Sequence, residues 1–245
     1  MIAALKAANK KEYDMRKYDI ILMDADDTIF DFVKAEENAL KRLFTMYNIP
    51  WNEENVHTYQ EINEEMWRQF ERGDITKSYL LDNRFALFFA AKGITADGVK
   101  ANEDYLDGLA EGNFLLPGAL ELCRAIKELG CGLYLATNGV TRVQKNRLAI
   151  SDIRPFCDGI FVSEEAGSQK PQKEYFQYVL NKLDNPDKSR VLMVGDSLTS
   201  DMKGAVQYGI DSCWLNTKGQ TTDLPVTYTV ASIPDILPVI AGEAV

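Results

Sequence analysis

The chain has 245 residues, 46% of them hydrophobic, with 27 Lys and Arg against 37 Asp and Glu, a formal charge of −10 and a pI near 4.8. That length and apolar content fit one large domain, or a domain carrying an inserted module, with a sizeable core, while the acidic balance opposes binding to polymeric nucleic acid, so an anionic substrate has to be small and met by local positive groups. A single histidine, His57 in a polar helical stretch, argues against a Ser/His or Cys/His catalytic pair and against His-ligated zinc, and the four scattered cysteines Cys123, Cys131, Cys157 and Cys213 read as reduced core thiols.

No apolar run approaches the roughly 18 residues of a membrane span, and the start lacks a secretory pattern, so the expectation is a cytoplasmic protein with no membrane partner. Residues 1–17 are Ala- and Lys-rich and are assigned no function. The first strand is Ile20-Ile21-Leu22-Met23, a short apolar run of the buried parallel kind, and it ends in Asp24-Ala25-Asp26-Asp27-Thr28. On extended backbone Asp24 and Asp26 point the same way. Carboxylates so close repel unless a positive charge, most naturally a divalent cation, lies between them; a solvated acidic turn is the alternative.

From Val33 to Asn113 the periodicity is helical. Leu40, Leu43, Phe44 and Tyr47 recur at spacings of three and four, as do Val56, Tyr59, Met66, Trp67 and Phe70. Gly73-Asp74 breaks that second helix, Thr76 caps a third carrying Leu80, Leu81, Arg84, Phe88 and Phe89, and a fourth runs from about Val99 to Leu109. Four amphipathic helices without a strand make a bundle, and Trp51, Trp67, Tyr79 and Phe88 are assigned to its core rather than to substrate.

After Phe114 strands and helices alternate. A helix with Leu120, Leu122, Ile126 and Leu129 is closed by Gly130; strands follow at Gly132–Ala136, Ile160–Val162, Val191–Val194 and Ser212–Leu215, with a helix at Tyr175–Leu183. This rhythm implies α/β architecture with a doubly wound parallel sheet, in which ligands bind beyond the strand C-termini. Thr137-Asn138-Gly139 follows the second of these strands and fits a turn. Lys170 lies in the loop Gly167-Ser168-Gln169-Lys170-Pro171, where a lone lysine is ordinarily solvated. Asp196 and Asp201 follow Val191-Leu192-Met193-Val194-Gly195 and fit a turn residue and a helix-dipole partner.

Taken in order, these four pieces resemble the haloacid dehalogenase superfamily, whose phosphatases open with D-x-D-x-[TV] after an apolar strand, as in Asp24–Thr28. The resemblance implies a Rossmann-like catalytic core at 18–32 and 114–245 with an inserted four-helix cap at 33–113; Met15 then lies near the usual start of such a chain. It implies Asp24 as nucleophile and Asp26 as general acid/base. Mg²⁺ would be held by Asp24, the Asp26 backbone carbonyl and Asp196. Thr137, Asn138 and Lys170 would bind the substrate phosphate, with Lys170 also offsetting the nucleophile's charge and lowering the pKa of adjacent carboxylates, and Asp201 would support the site. Asp26 favours phosphatase over dehalogenase, which lacks a carboxylate there.

The longer strings Asp24–Thr28, Thr137-Asn138-Gly139, Ser163-Glu164-Glu165 and Ser189–Asp196 resemble the pyrimidine and noncanonical 5′-nucleotidases of the superfamily. The implied partner is a small phosphorylated metabolite, a nucleoside monophosphate, and no oligomeric state follows. Sugar-phosphate or phosphoglycolate phosphatases and phosphomutases use the same pieces. A phosphate-sensing regulatory protein is the non-enzyme alternative, against which an acid/base residue beside a nucleophile weighs.

Overall fold

In the computed structural model, which describes residues 16–243, Ile20–Met23 forms β1 of a six-stranded sheet. The expectations for the leader up to residue 15, Met15 included, lie outside the described residues. The other strands are β2 (Gly132–Thr137), β3 (Gly159–Val162), β4 (Val191–Gly195), β5 (Asp211–Leu215) and β6 (Tyr228–Val230). They run β3-β2-β1-β4-β5-β6 and pair in parallel throughout, giving the doubly wound sheet expected. Strand order reverses at β1, which pairs β2 on one side and β4 on the other, and a ligand crevice opens at such a reversal.

The strand-free stretch forms a compact unit of its own, Phe32–Phe114; residues up to Asp31 and from Leu115 form the other. Its helices are α1 (Phe32–Met46), α2 (Glu53–Arg72), α3 (Lys77–Lys92) and α4 (Gly98–Ala110). Asn52 and Thr76 cap α2 and α3 by accepting from the N–H groups of Asn55 and Tyr79, and Gly73 and Gly93 close the same helices in the left-handed region. Inside, Phe44 stacks on Phe88 with ring centroids 5.5 Å apart, and Tyr59 on Phe85 at 4.8 Å. Arg84 is buried with them. Its Nε donates to Asn102 Oδ1 at 2.7 Å and its Nη1 to Asn63 Oδ1 at 3.2 Å, while Asn63 Nδ2 donates to Glu36 Oε1, so a polar network joins all four helices.

Two aromatic residues assigned to that core are not in it. Trp51 is 43% exposed and Tyr79 51% exposed, whereas Phe88 is fully buried and Trp67 half-buried. Trp51 belongs to the link before the Asn52 cap, where helical spacing orients nothing, and Tyr79 lies in the first turn of α3, next to its cap.

In the sheet unit, α5 (Ala119–Glu128), α6 (Thr141–Ala149), a short α7 (Ser163–Ala166), α8 (Lys173–Lys182), α9 (Lys203–Tyr208) and α10 (Ile236–Ala241) follow. Alternate strand residues go to opposite faces. Ile21, Met23, Leu133, Leu135, Leu192 and Val194 pack with Leu122 and Ile126 of α5 and Val239 and Ile240 of α10. Leu22, Ala136, Val191, Met193 and Trp214 pack with Phe176, Val179 and Leu180 of α8. Each Leu, Ile, Val, Met or Phe among them contributes about 1.5–3 kcal/mol on burial, and because both faces are covered the strands read as continuous apolar runs. The four cysteines are buried free thiols, the His57 side chain is 68% exposed, and no helix among the described residues is long and apolar enough to cross a membrane.

Candidate active site

The site begins where β1 stops. The Asp24 N–H continues the ladder to Val194 O at 2.9 Å, and then the chain folds back: Ile29 and Phe30 both donate to Ala25 O, and Asp27, at φ +56°, donates to Phe30 O at 2.8 Å. The extended backbone expected to aim Asp24 and Asp26 alike therefore ends at Met23. This turn gives the two carboxylates different partners.

Asp24 meets Lys170. Lys170 is 1% exposed, and its ammonium donates to Asp24 Oδ1 at 2.5 Å, Asp201 Oδ1 at 2.6 Å and Ala136 O at 2.7 Å, which uses all three of its donors. Burial works against its charge, but Asp201 and Asp24 outweigh burial and hold its pKa above the usual lysine range. Asn138 fixes the backbone that carries it: its side-chain Nδ2 donates to Lys170 O and its Oδ1 accepts from Lys170 N, both at 2.9 Å. Thr137 ends β2 beside it, buried, with Oγ1 accepting from Gly139 N at 3.0 Å.

Asp196 and Asp201 come from the end of β4. Ser197 caps a π-helical turn, Leu198–Met202, that turns Asp201 inward, and Asp201 Oδ2 accepts from Ser197 N at 3.2 Å. Gly195 makes room for this. A Cβ there would lie 2.2 Å from Asp201 Oδ2. Asp196 is anchored through its backbone carbonyl, which accepts from Trp214 Nε1 at 2.9 Å, and its carboxylate accepts a long bond of 3.4 Å from Thr28 Oγ1.

One oxygen from each of Asp24, Asp196 and Asp201 lies within 4.8 Å of the others. Burial, then the Asp201 carboxylate, pushes Asp24 well above the usual carboxylate range; Lys170 pulls downward as expected and is outweighed. Asp196 is pushed up to about 7 by burial, by Asp201 and by Asp27, and burial also raises Asp201 against the pull of Lys170. Three carboxylates against one ammonium leave two negative charges, and the donor set is all hard oxygen, so the residues fit a hard divalent cation. Both Asp201 oxygens are already engaged, which leaves Asp24 and Asp196 as the more available carboxylate ligands.

Asp26 faces α6. Its Oδ1 accepts from Arg147 Nη1, and its Oδ2 accepts from Gln144 Nε2 at 2.5 Å. Neither partner was singled out from sequence. The available signal was weak: Gln144 and Arg147 are three apart on one helix face, but Arg142 and Lys145 beside them are charged, exposed and otherwise indistinguishable.

A family model of haloacid dehalogenase-like hydrolases matches residues 18–209. The chain is 38% identical to YfnB of Bacillus subtilis over 224 residues, 91% of this chain and 95% of that protein. It is 36% identical to the pyrimidine 5′-nucleotidase YjjG of Escherichia coli (90% and 96% covered) and 33% identical to the pyrimidine 5′-nucleotidase PynA of Streptococcus pneumoniae (90% and 94%). A crystal structure of the Bacillus subtilis YfnB bound to magnesium superposes with a TM-score of 0.86 at 37% identity, covering 92% of this chain and 99% of that one.

Proposed function

The chain belongs to the haloacid dehalogenase-like hydrolases, and we propose that it is a Mg²⁺-dependent phosphatase of small monoesters, acting on nucleoside 5′-monophosphates through Asp24. The observation that carries this reading is the buried ammonium of Lys170 shared between Asp24 and Asp201, with the separate carboxylate of Asp26 two residues along. A phosphate monoester repels an anionic nucleophile, so its hydrolysis needs charge neutralisation as much as attack. An alkoxide leaving group also needs a proton, which a halide does not. Asp26 meets that need.

Asp24, Asp196 and the Asp26 backbone carbonyl would hold Mg²⁺, and the bound ion offsets the charge of carboxylates and phosphoryl group. In the first step an Asp24 oxygen forms a bond to phosphorus as the ester P–O bond breaks, and Asp26 gives its proton to the leaving oxygen. In the second, water bonds to phosphorus and passes a proton to Asp26 as the Asp24 O–P bond breaks, releasing phosphate. The Thr137 hydroxyl holds a phosphoryl oxygen, and Lys170, its three donors already given to Asp24, Asp201 and Ala136, offsets the phosphoryl charge. Asn138, whose side chain already grips the Lys170 backbone, keeps that lysine in place. The nucleotide preference is supported by two pyrimidine 5′-nucleotidases that each align with 90% of the chain.

The test is phosphate release from a panel of monophosphates, with and without Mg²⁺. Nucleoside monophosphates should lead sugar phosphates and phosphoglycolate, and Asp24→Asn should be inactive. Equal rates across the panel would remove the nucleotidase, and metal-independent turnover would remove the mechanism.

A further inference from the structure

Asp26 is gripped at both oxygens by residues that no step above uses. Arg147 is fully buried, its guanidinium lies 4.5 Å over the ring of Phe30, and Phe30 is the residue whose carbonyl closes the Asp24–Phe30 turn through Asp27. Gln144, 2% exposed, reaches Asp26 Oδ2 by crossing the space above Gly139. A Cβ on Gly139 would stand 2.2 Å from Gln144 Nε2 and 2.8 Å from its Cγ. The Asn-Gly pair after β2 is thus more than a turn, because its missing side chain is the passage for Gln144.

We propose that Gln144 and Arg147 are positioning residues for the acid/base carboxylate, fixing from α6 where Asp26 stands and which of its oxygens can turn to the substrate. The proposal rests on the acid/base reading of Asp26. Arg147 fixes Oδ1 and braces the turn through Phe30, while Gln144, a neutral donor at the other oxygen, is the partner that gives way when Oδ2 carries a proton to the leaving group or takes one from water. No atom is added to the reaction already written. What the pair supplies is aim.

The test compares wild type, Gln144→Leu and Gly139→Ala, the last displacing Gln144 without deleting any polar group, on two substrates with Mg²⁺ present. On p-nitrophenyl phosphate the phenolate leaves unaided; on an alkyl monophosphate the alkoxide needs the proton. We expect the alkyl-to-aryl ratio of kcat/KM to fall about tenfold or more in both variants. A burst of p-nitrophenol should also appear, since hydrolysis of the aspartyl-phosphate loses its aimed base. Arg147→Lys, which keeps a cation, should recover part of the ratio lost in Arg147→Met. Equal losses on both substrates with no burst would make the pair merely structural and overturn the proposal. Asp26→Asn separates the two levels: if it fails to distinguish the substrates, the acid/base reading itself is wrong.

Discussion

At Asp196 a proton and a cation compete for the same oxygens. Its folded-state pKa of about 7 stands above the unfolded value near 3.9, so the folded chain holds this proton more tightly than the unfolded chain. Stability of the metal-free protein should therefore fall as pH rises from about 4 to about 7, with Asp24 and Asp201 shifted in the same direction. Melting curves across that range check the slope. Mg²⁺ should raise the melting temperature more at the alkaline end, and Asp196→Asn should flatten both effects; a stability that climbs with pH in metal-free protein would contradict the burial argument. Asn138→Ala removes two bonds to the Lys170 backbone and should cost about 1–3 kcal/mol, or several degrees in Tm by the same melts. Motif order made Asp24, Asp196 and Lys170 legible as candidates, because each follows an apolar run or precedes proline. Gln144 and Arg147 were not, since only the fold distinguishes a glutamine or arginine turned inward from the exposed polar residues beside it.

Among the elements, the junction of β4 with the turn after it leaves no room for a side chain at Gly195. In Gly195→Ala the new methyl would meet the Asp201 carboxylate, which is fully buried and has nowhere to move. Overpacking of this kind costs about 1–3 kcal/mol, and we expect phosphate release to drop at least about tenfold because Lys170 loses its fixed partner. Unchanged kinetics would show that Asp201 can shift freely. Buried strands were readable because both faces of the sheet are covered and the runs are unbroken. β6 was not: it has three residues, of which only Val230 is buried, and it follows a polar Thr-rich stretch. α10 was hidden by Pro238, a helix breaker inside a six-residue helix. The π-helical turn that turns Asp201 inward likewise has no marker in the sequence.

Over the whole molecule, the helical unit is spliced into the sheet unit at a point where the chain ends nearly meet. Leu116 N donates to Ile29 O at 2.9 Å and Phe30 pairs antiparallel with Leu115, so the sheet unit itself holds the two junctions together. A chain with Asp31 joined to Leu115 through a short flexible linker should accordingly still unfold cooperatively, as circular dichroism would show; a molten or aggregated product would mean that the helices complete the core. The formal charge of −10 makes a buried ammonium beside Asp24 all the more necessary for an anionic substrate. The proposed mechanism turns on Asp24 taking the phosphoryl group. Its most direct test is to quench the protein with acid during turnover of p-nitrophenyl phosphate with Mg²⁺ and map the peptides by mass. We expect a phosphoryl group on Asp24 that is absent without Mg²⁺, whereas full turnover by Asp24→Asn, or a label on any other residue, would contradict that mechanism.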